Sequence, residues 1–206
     1  MKLKKLGRTI VIVLGLSSAK LLVDGLIIVQ HDDKEYLTSL RHTLKKNGIN
    51  MTEIYDVKEV PQNDEYLVNA EYTNKYIMRS YKHKFMRVYA RMLYNRAKIK
   101  RKWLHRMEPL HLAIWYMECG AIIYKKYQDR IHTINLALKT YLDQPLNQTI
   151  IEFFDEMWNI QFFQKKITEN QYILCCNLYN AKKFLNIVRP FICDSMKFKL
   201  NIDRPK

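Results

Sequence analysis

Glycine, proline and cysteine are all scarce in this 206-residue chain, which has five, five and four of them. With so few glycines there is no phosphate-cradling glycine loop, and so little glycine and proline together excludes a disordered basic tail and points to ordered elements. The four cysteines, Cys119, Cys175, Cys176 and Cys193, contain no CxxC pair and no regular spacing. That pattern indicates neither a zinc site nor a disulfide framework, and it fits reducing surroundings. No apolar run approaches the roughly 20 residues that a membrane span needs. Acidic residues are also few: 20 Asp and Glu stand against 35 Lys and Arg, a net charge of +15.

What is present suffices for a core. The chain is 48% hydrophobic and 12% aromatic, and its length fills one sizeable core or two small halves that share one. A structured, strongly basic chain expects a polyanionic partner. Ile, Lys, Asn and Tyr are plentiful, the usage that an AT-rich genome such as an organelle's imposes. MKLKKLGR followed by the apolar stretch 9–16 and Ser17-Ser18-Ala19 has the order of a secretory signal. The same residues also serve as an N-terminal buried helix, the expectation carried forward.

Residues 9–16 read as that short helix, and 19–23 and 26–30 as two strands joined by Asp24-Gly25, a two-residue hairpin turn. Asp32 and Asp33 cap a helix to about Asn47, with Tyr36, Leu37, Leu40 and Leu44 at helical spacing and Gly48 as its stop. Residues 51–60 and 71–81 read as extended, divided by Pro61-Gln62-Asn63-Asp64. A helix from about His83 to Asn95 buries Phe85, Val88, Tyr89, Met92 and Leu93 and turns Lys84, Arg87 and Arg91 to another face. The second half repeats the order: helix 110–119 with Gly120 as a left-handed cap, strands 121–127 and 130–139, helix 146–158, strands 160–167 and 171–176, helix 181–188. Tyr76-Ile77-Met78 precedes one closing helix as Tyr172-Ile173-Leu174 precedes the other, so an αββαββα unit occurs twice.

Four stretches carry more than periodicity: Val13-Leu14-Gly15-Leu16-Ser17-Ser18-Ala19-Lys20-Leu21, Lys34-Glu35-Tyr36-Leu37, Leu112-Ala113-Ile114-Trp115-Tyr116-Met117-Glu118-Cys119-Gly120, and Arg189-Pro190-Phe191-Ile192 with Ser195-Met196-Lys197-Phe198-Lys199-Leu200. Together they resemble the LAGLIDADG homing endonucleases and the intron-splicing maturases derived from them, over nearly the whole chain. The first and third are similar to the family's two motif helices, the second to the helix after the first hairpin, and the fourth to its closing segment. The resemblance implies an α+β fold, a tandem pseudo-dimer of two αββαββα repeats forming a saddle. Residues 1–97 are the first repeat, 98–109 a basic linker and 110–206 the second repeat.

In the family each motif helix delivers one carboxylate to magnesium at a scissile phosphate, where hard oxygen ligands hold the metal and the metal activates water. Carried over residue by residue, those acids fall on Lys20 and Cys119. A protonated lysine cannot ligate magnesium, and a thiol is a soft ligand. Two acids stand nearby. Asp24 takes the position if Leu21-Leu22-Val23-Asp24-Gly25 ends the first motif, but Asp24-Gly25 is then lost as a turn. Glu118 is one residue early, about 100° round the helix. No catalytic residue is assigned, and a pseudo-endonuclease without cofactor or metal is expected.

Between Glu71 and Glu108 there is no acid, while Lys75, Arg79, Lys82, Lys84, Arg87, Arg91, Arg96, Lys98, Lys100, Arg101, Lys102 and Arg106 all fall inside, interleaved with Tyr81, Tyr89, Tyr94 and Trp103. A one-signed stretch with interleaved aromatics is a nucleic-acid surface. Lys125, Lys126 and Arg130 join it, since the resemblance puts them on a hairpin of the sheet that straddles a duplex. Lys165, Lys166, Lys182, Lys183, Lys197 and Lys199 are weaker candidates. His31, His42, His83, His105, His111 and His132 follow no metal-ligand spacing.

The expected function is non-catalytic binding of structured RNA, as a component of a mitochondrial ribosome on ribosomal RNA. The alternatives are a maturase on intron RNA and an active DNA homing endonuclease with atypical acids. The expected place is the mitochondrial matrix, with neighbouring ribosomal proteins as partners, no membrane, and no need of a homo-oligomer in a chain that already holds two repeats.

Overall fold

Asp33 turns the chain from strand to helix. Its carboxylate accepts the Tyr36 amide at 2.9 Å, satisfying an orphan donor just where the preceding strand has ended. Asp143 does the same for Leu146 and Asn177 for Asn180, both at 3.0 Å. The computed structural model describes residues 4–17, 19–22, 24–68, 73–94, 101–128, 130–140, 142–168 and 171–202. They divide into two compact units, Met1–Lys98 and Ile99–Lys206.

The first unit runs α1 (Lys5–Leu16), β1 (Lys20–Leu22), β2 (Leu26–His31), α2 (Lys34–Lys46), β3 (Tyr55–Asp56), α3 (Glu65–Val68), β4 (Tyr76–Arg79) and α4 (Lys84–Tyr94). The second runs α5 (Arg101–Leu104), α6 (Pro109–Cys119), β5 (Gly120–Tyr127), β6 (Arg130–Lys139), α7 (Gln144–Trp158), β7 (Phe163–Thr168), β8 (Gln171–Asn177) and α8 (Leu178–Val188), then short 3-10 segments at Arg189–Phe191 and Asp194–Leu200. Each unit holds one four-stranded antiparallel sheet, in the order β1-β2-β4-β3 and β5-β6-β8-β7. The repeated unit read in the sequence is therefore present twice, with the same strand order.

Burial follows the sequence pattern in most places. Every residue from Thr9 to Leu14 is buried in α1, and Tyr36, Leu37, Leu40 and Leu44 form the inner stripe of α2. Gly25 turns the first hairpin at φ +83°, and Gly48 ends α2 at φ +90°, conformations that suit a residue without Cβ.

Four details differ from expectation. Val88 is 54% exposed and Phe85 half-buried, while α4 buries the expected Tyr89 together with Met86 and Ala90; Met92 and Leu93 lie outside the described side chains. Within residues 51–60 the strand itself is only Tyr55–Asp56, with Met51 bridged to Ser80, since Asp56 accepts the Lys58 amide at 3.0 Å and starts a 3-10 turn, Val57–Glu59. The segment read as a basic linker, with no element assigned to it, contains α5, whose Trp103 and Leu104 are buried and which packs on α7. Gly120 is not a left-handed cap. Its φ of −86° and ψ of 149° are extended, because it is already the first residue of β5. Glycine is needed there for space: a Cβ would lie 2.0 Å from Cδ2 of Tyr116 and 2.7 Å from its carbonyl oxygen.

Candidate nucleic-acid interface

Cys119 is the last residue of α6, where the family's second acid would stand. Its Sγ approaches the carbonyl oxygens of Lys139 at 3.0 Å and Trp115 at 3.3 Å, and burial pushes the thiol well above its ordinary range. Above the helix end lies Lys199. Its Nζ donates to the carbonyl oxygens of Met117 at 2.6 Å, Gly120 at 3.2 Å and Tyr116 at 3.4 Å. An ammonium on the last carbonyls of a helix answers the negative end of the helix dipole. Burial holds the Lys199 pKa below the usual lysine value, while the Glu118 carboxylate acts to raise it. Glu118 is itself buried and near enough to act on both neighbours, although one position early in the motif. The donors here are a thiol, one carboxylate and three carbonyls already engaged by an ammonium. Such a set does not fit magnesium, which demands several hard oxygens in octahedral order. Among the described residues, no group of three or more His, Cys, Asp or Glu could hold a metal ion.

The first motif position moves. Ser17 ends α1 early, its Oγ and N both donating to the Leu14 carbonyl, at 2.9 and 3.3 Å, so Lys20 is an exposed strand residue of β1 and not a helix terminus. The sheets give an independent register. Gly120 lies opposite Leu138, which lies opposite Leu174. In the first unit Met78 lies opposite Val29, and Lys20 opposite Ile28. With Tyr76-Ile77-Met78 matched to Tyr172-Ile173-Leu174, continuing that register by one residue puts Ala19 in the place of Gly120. Ser18 then takes the place of Cys119, and it lies outside the described residues. Asp24, the other acid considered, is in the hairpin turn. It accepts from Tyr66 Oη at 2.9 Å and stands 3.4 Å from Lys82 Nζ, and these two contacts hold its carboxyl below the usual range.

The expected basic surface separates into three groups. Lys84, Arg87 and Arg91 are exposed along α4, and Lys102 and Arg106 are exposed around α5. Arg79, Lys82 and Arg101 are engaged within the chain: Arg79 Nε donates to both Asp64 oxygens at 2.6 and 2.8 Å, Lys82 meets Asp24, and Arg101 pairs with Glu156. Arg96, Lys98 and Lys100, and the side chains of Lys126 and Arg130, lie outside the described residues. Lys125 is exposed on β5.

The sheet faces were the least visible feature of the sequence. In the second unit one face packs on the helices through Leu136, Leu138, Leu174 and Cys176, all buried. The other has a small apolar floor of Ala137, Ile173 and Cys175 with Ile123. Strand alternation puts exposed Lys125, Lys139 and Lys165 around that floor. Lys165 and Lys125 are close enough to Cys175 to counter part of the rise that burial gives its thiol. Lys139 carried no signal in a linear reading, because its role depends on which strand neighbours β6. In the first unit the corresponding face is covered: Leu26, Ile28 and Ile77 are buried with Leu67 of α3, and Val57, Val60 and Tyr66 pack around them.

Of solved structures, the homing endonuclease I-WcaI bound to its DNA recognition sequence matches with a TM-score of 0.72 at 18% identity, covering 99% of this chain and 89% of that one. The N-terminal LAGLIDADG domain of DUF199/WhiA matches at TM-score 0.54 and 13% identity, covering 88% and 81%. The meganuclease I-SmaMI bound to uncleaveable DNA matches at TM-score 0.51 and 9% identity, covering 96% and 87%. At such identities these likenesses establish the fold. No curated protein sequence matches. A profile of one family spans β2 through α8, matching residues 27–184, and the paired β-sheets and motif-helix words agree with it: the chain belongs to the LAGLIDADG DNA endonuclease family.

Proposed function

We propose that this chain binds structured RNA without cutting nucleic acid, as a component of a mitochondrial ribosome held on ribosomal RNA. The observation that carries the loss of cutting is the end of α6, where Cys119 stands in the acid's place and the Lys199 ammonium covers the helix carbonyls. Metal-assisted phosphodiester cleavage needs anionic oxygen ligands at that point, and the carboxylate beside it, Glu118, is balanced by Lys199. Asp24, engaged by Tyr66 and Lys82 in a turn, offers no substitute.

Support for a nucleic-acid partner comes from the net charge of +15, from the basic faces of α4 and the second sheet, and from DNA in the structures of I-WcaI and I-SmaMI. RNA is favoured over duplex DNA because Phe163 and Ile167 are 47% and 53% exposed on the outer strand β7. Exposed apolar groups beside lysines suit unpaired bases, which structured RNA offers and a closed duplex does not.

Purified protein incubated with Mg²⁺ and DNA carrying its own insertion site should leave the DNA intact; specific cleavage abolished by Asp24→Asn would refute the proposal. Gradient sedimentation of organelle lysate should place the chain with a ribosomal subunit. Recovery on intron RNA would assign it to splicing instead.

A further inference from the structure

The two units carry the same strand order, yet their outer sheet faces differ in kind. In the first, the segment between β3 and β4 folds back over the sheet. Leu67 is fully buried there with Leu26, Ile28 and Ile77. Its polar groups are also engaged. Arg79 on this face is held by Asp64, its guanidinium over the rings of Tyr66 at 5.5 Å and Tyr81 at 5.8 Å, and Gln30 Oε1 accepts the Thr73 amide at 2.9 Å. A polyanion approaching that face meets a covered apolar surface and, in Arg79, a cation that already has its counter-charge.

Among the described residues of the second unit, no segment covers the corresponding face. Between β7 and β8 the connection runs only from Thr168 to Gln171. The apolar floor is made by strand residues alone, and exposed Lys125, Lys139 and Lys165 come from three different strands. No acidic residue stands on this face among the described residues. Ammonium groups spread over a sheet with an apolar floor match a phosphate backbone above and bases below.

Resting on the RNA-binding reading above, we propose that of the two sheets only the second receives the nucleic acid, on Lys125, Lys139 and Lys165, while the first is closed by the chain's own residues 57–68. The contribution of the sheets to the interface is then one-sided, and the occupant is RNA with unpaired bases able to reach Phe163.

The test is fluorescence anisotropy with a structured RNA and with a duplex DNA, at two salt concentrations, on the full chain. Lys125→Glu/Lys139→Glu/Lys165→Glu should lose at least about 100-fold in RNA affinity, and its salt slope should fall by about three units, near one for each phosphate no longer neutralised. Lys20→Glu/Lys58→Glu, which reverses two cations on and over the closed face, should change affinity by less than about threefold. Phe163→Ala should weaken RNA binding about tenfold and leave duplex binding unchanged. Circular dichroism checks that each variant is folded. Equal losses in the triple and the first-unit double variant, or an undiminished triple variant, would overturn the one-sided interface while leaving RNA binding intact. A wild-type chain that binds no RNA would instead overturn the functional reading, and this inference with it.

Discussion

Lys199 and Met117 are 82 positions apart and joined at 2.6 Å, ammonium to carbonyl. The link is reciprocal, because Tyr116 Oη donates to the Lys199 carbonyl at 2.6 Å. The closing 3-10 segment is thereby fastened to the end of α6 by both its backbone and its side chain. Lys199→Met keeps much of the stem and removes three charge-assisted contacts, so it should cost about 1–3 kcal/mol. Urea unfolding with an unchanged m-value checks this; a loss under about 0.5 kcal/mol would mean that water replaces the ammonium without penalty.

Gly120→Ala should be more damaging than an ordinary glycine change in a strand. The added methyl would fall 2.0 Å from the Tyr116 ring and 2.7 Å from its carbonyl oxygen, and that ring cannot move freely, being packed at 5.6 Å from Phe184 and bonded through its hydroxyl. A loss of about 3 kcal/mol is expected from overpacking. Thermal unfolding is the measurement, and Tyr116→Phe/Gly120→Ala should be no better, since the clash is with ring carbons and backbone.

The contrast between Gly120 and Gly25 shows what was legible in the sequence. Asp24-Gly25 announced a tight turn, and the turn is there with its positive φ, because hairpin chemistry is local. Gly120 also announced a helix end, but its reason is a ring four residues back, a matter of packing. The order of elements along the chain and the repeat were readable from periodicity and from the Tyr-Ile-Met and Tyr-Ile-Leu words; the order of strands within each sheet was not. The cover over the first sheet was not: Leu67 sits in a segment read as a gap between strands, and its burial depends on a distant partner, Ile28. Likewise Arg79 looked like a free cation until Asp64, 15 residues earlier, was seen beside it.

Cys176 gives a pH dependence. Burial pushes its thiol from 9.0 up to about 12, so in the folded chain it keeps its proton while the unfolded chain releases it. The contribution of this group is therefore complete below pH 9 and lost as pH rises from 9 toward 12, by about 1.4 kcal/mol per pH unit. The difference in unfolding free energy between wild type and Cys176→Ala should shrink over that window. A difference independent of pH would show that the thiol ionises as readily folded as unfolded.

Arg79 and Asp64 should be strongly coupled. Both are largely shielded, and the guanidinium Nε reaches both carboxylate oxygens. Asp64→Ala leaves a shielded cation without its counter-charge and should cost about 3 kcal/mol, more than a surface pair would. In a double-mutant cycle with Arg79→Ala, a coupling energy of about 1–2 kcal/mol is expected. Additive losses would reduce the pair to two separate contacts and leave Arg79 available to RNA.

The exposed cations of α4 provide a graded counterpart to the sheet. Arg87 and Arg91 stand on the solvent side of a helix whose Met86, Tyr89 and Ala90 face inward, so their side chains can change without disturbing the core. Arg87→Glu/Arg91→Glu should weaken RNA binding about tenfold at moderate salt, with a salt slope lower by up to two units, and leave the unfolding midpoint nearly unchanged. The effect should fall equally on RNAs of different sequence, because phosphate contacts fix position without reading bases. Unchanged affinity would remove α4 from the contact surface and leave the second sheet to hold the RNA by itself.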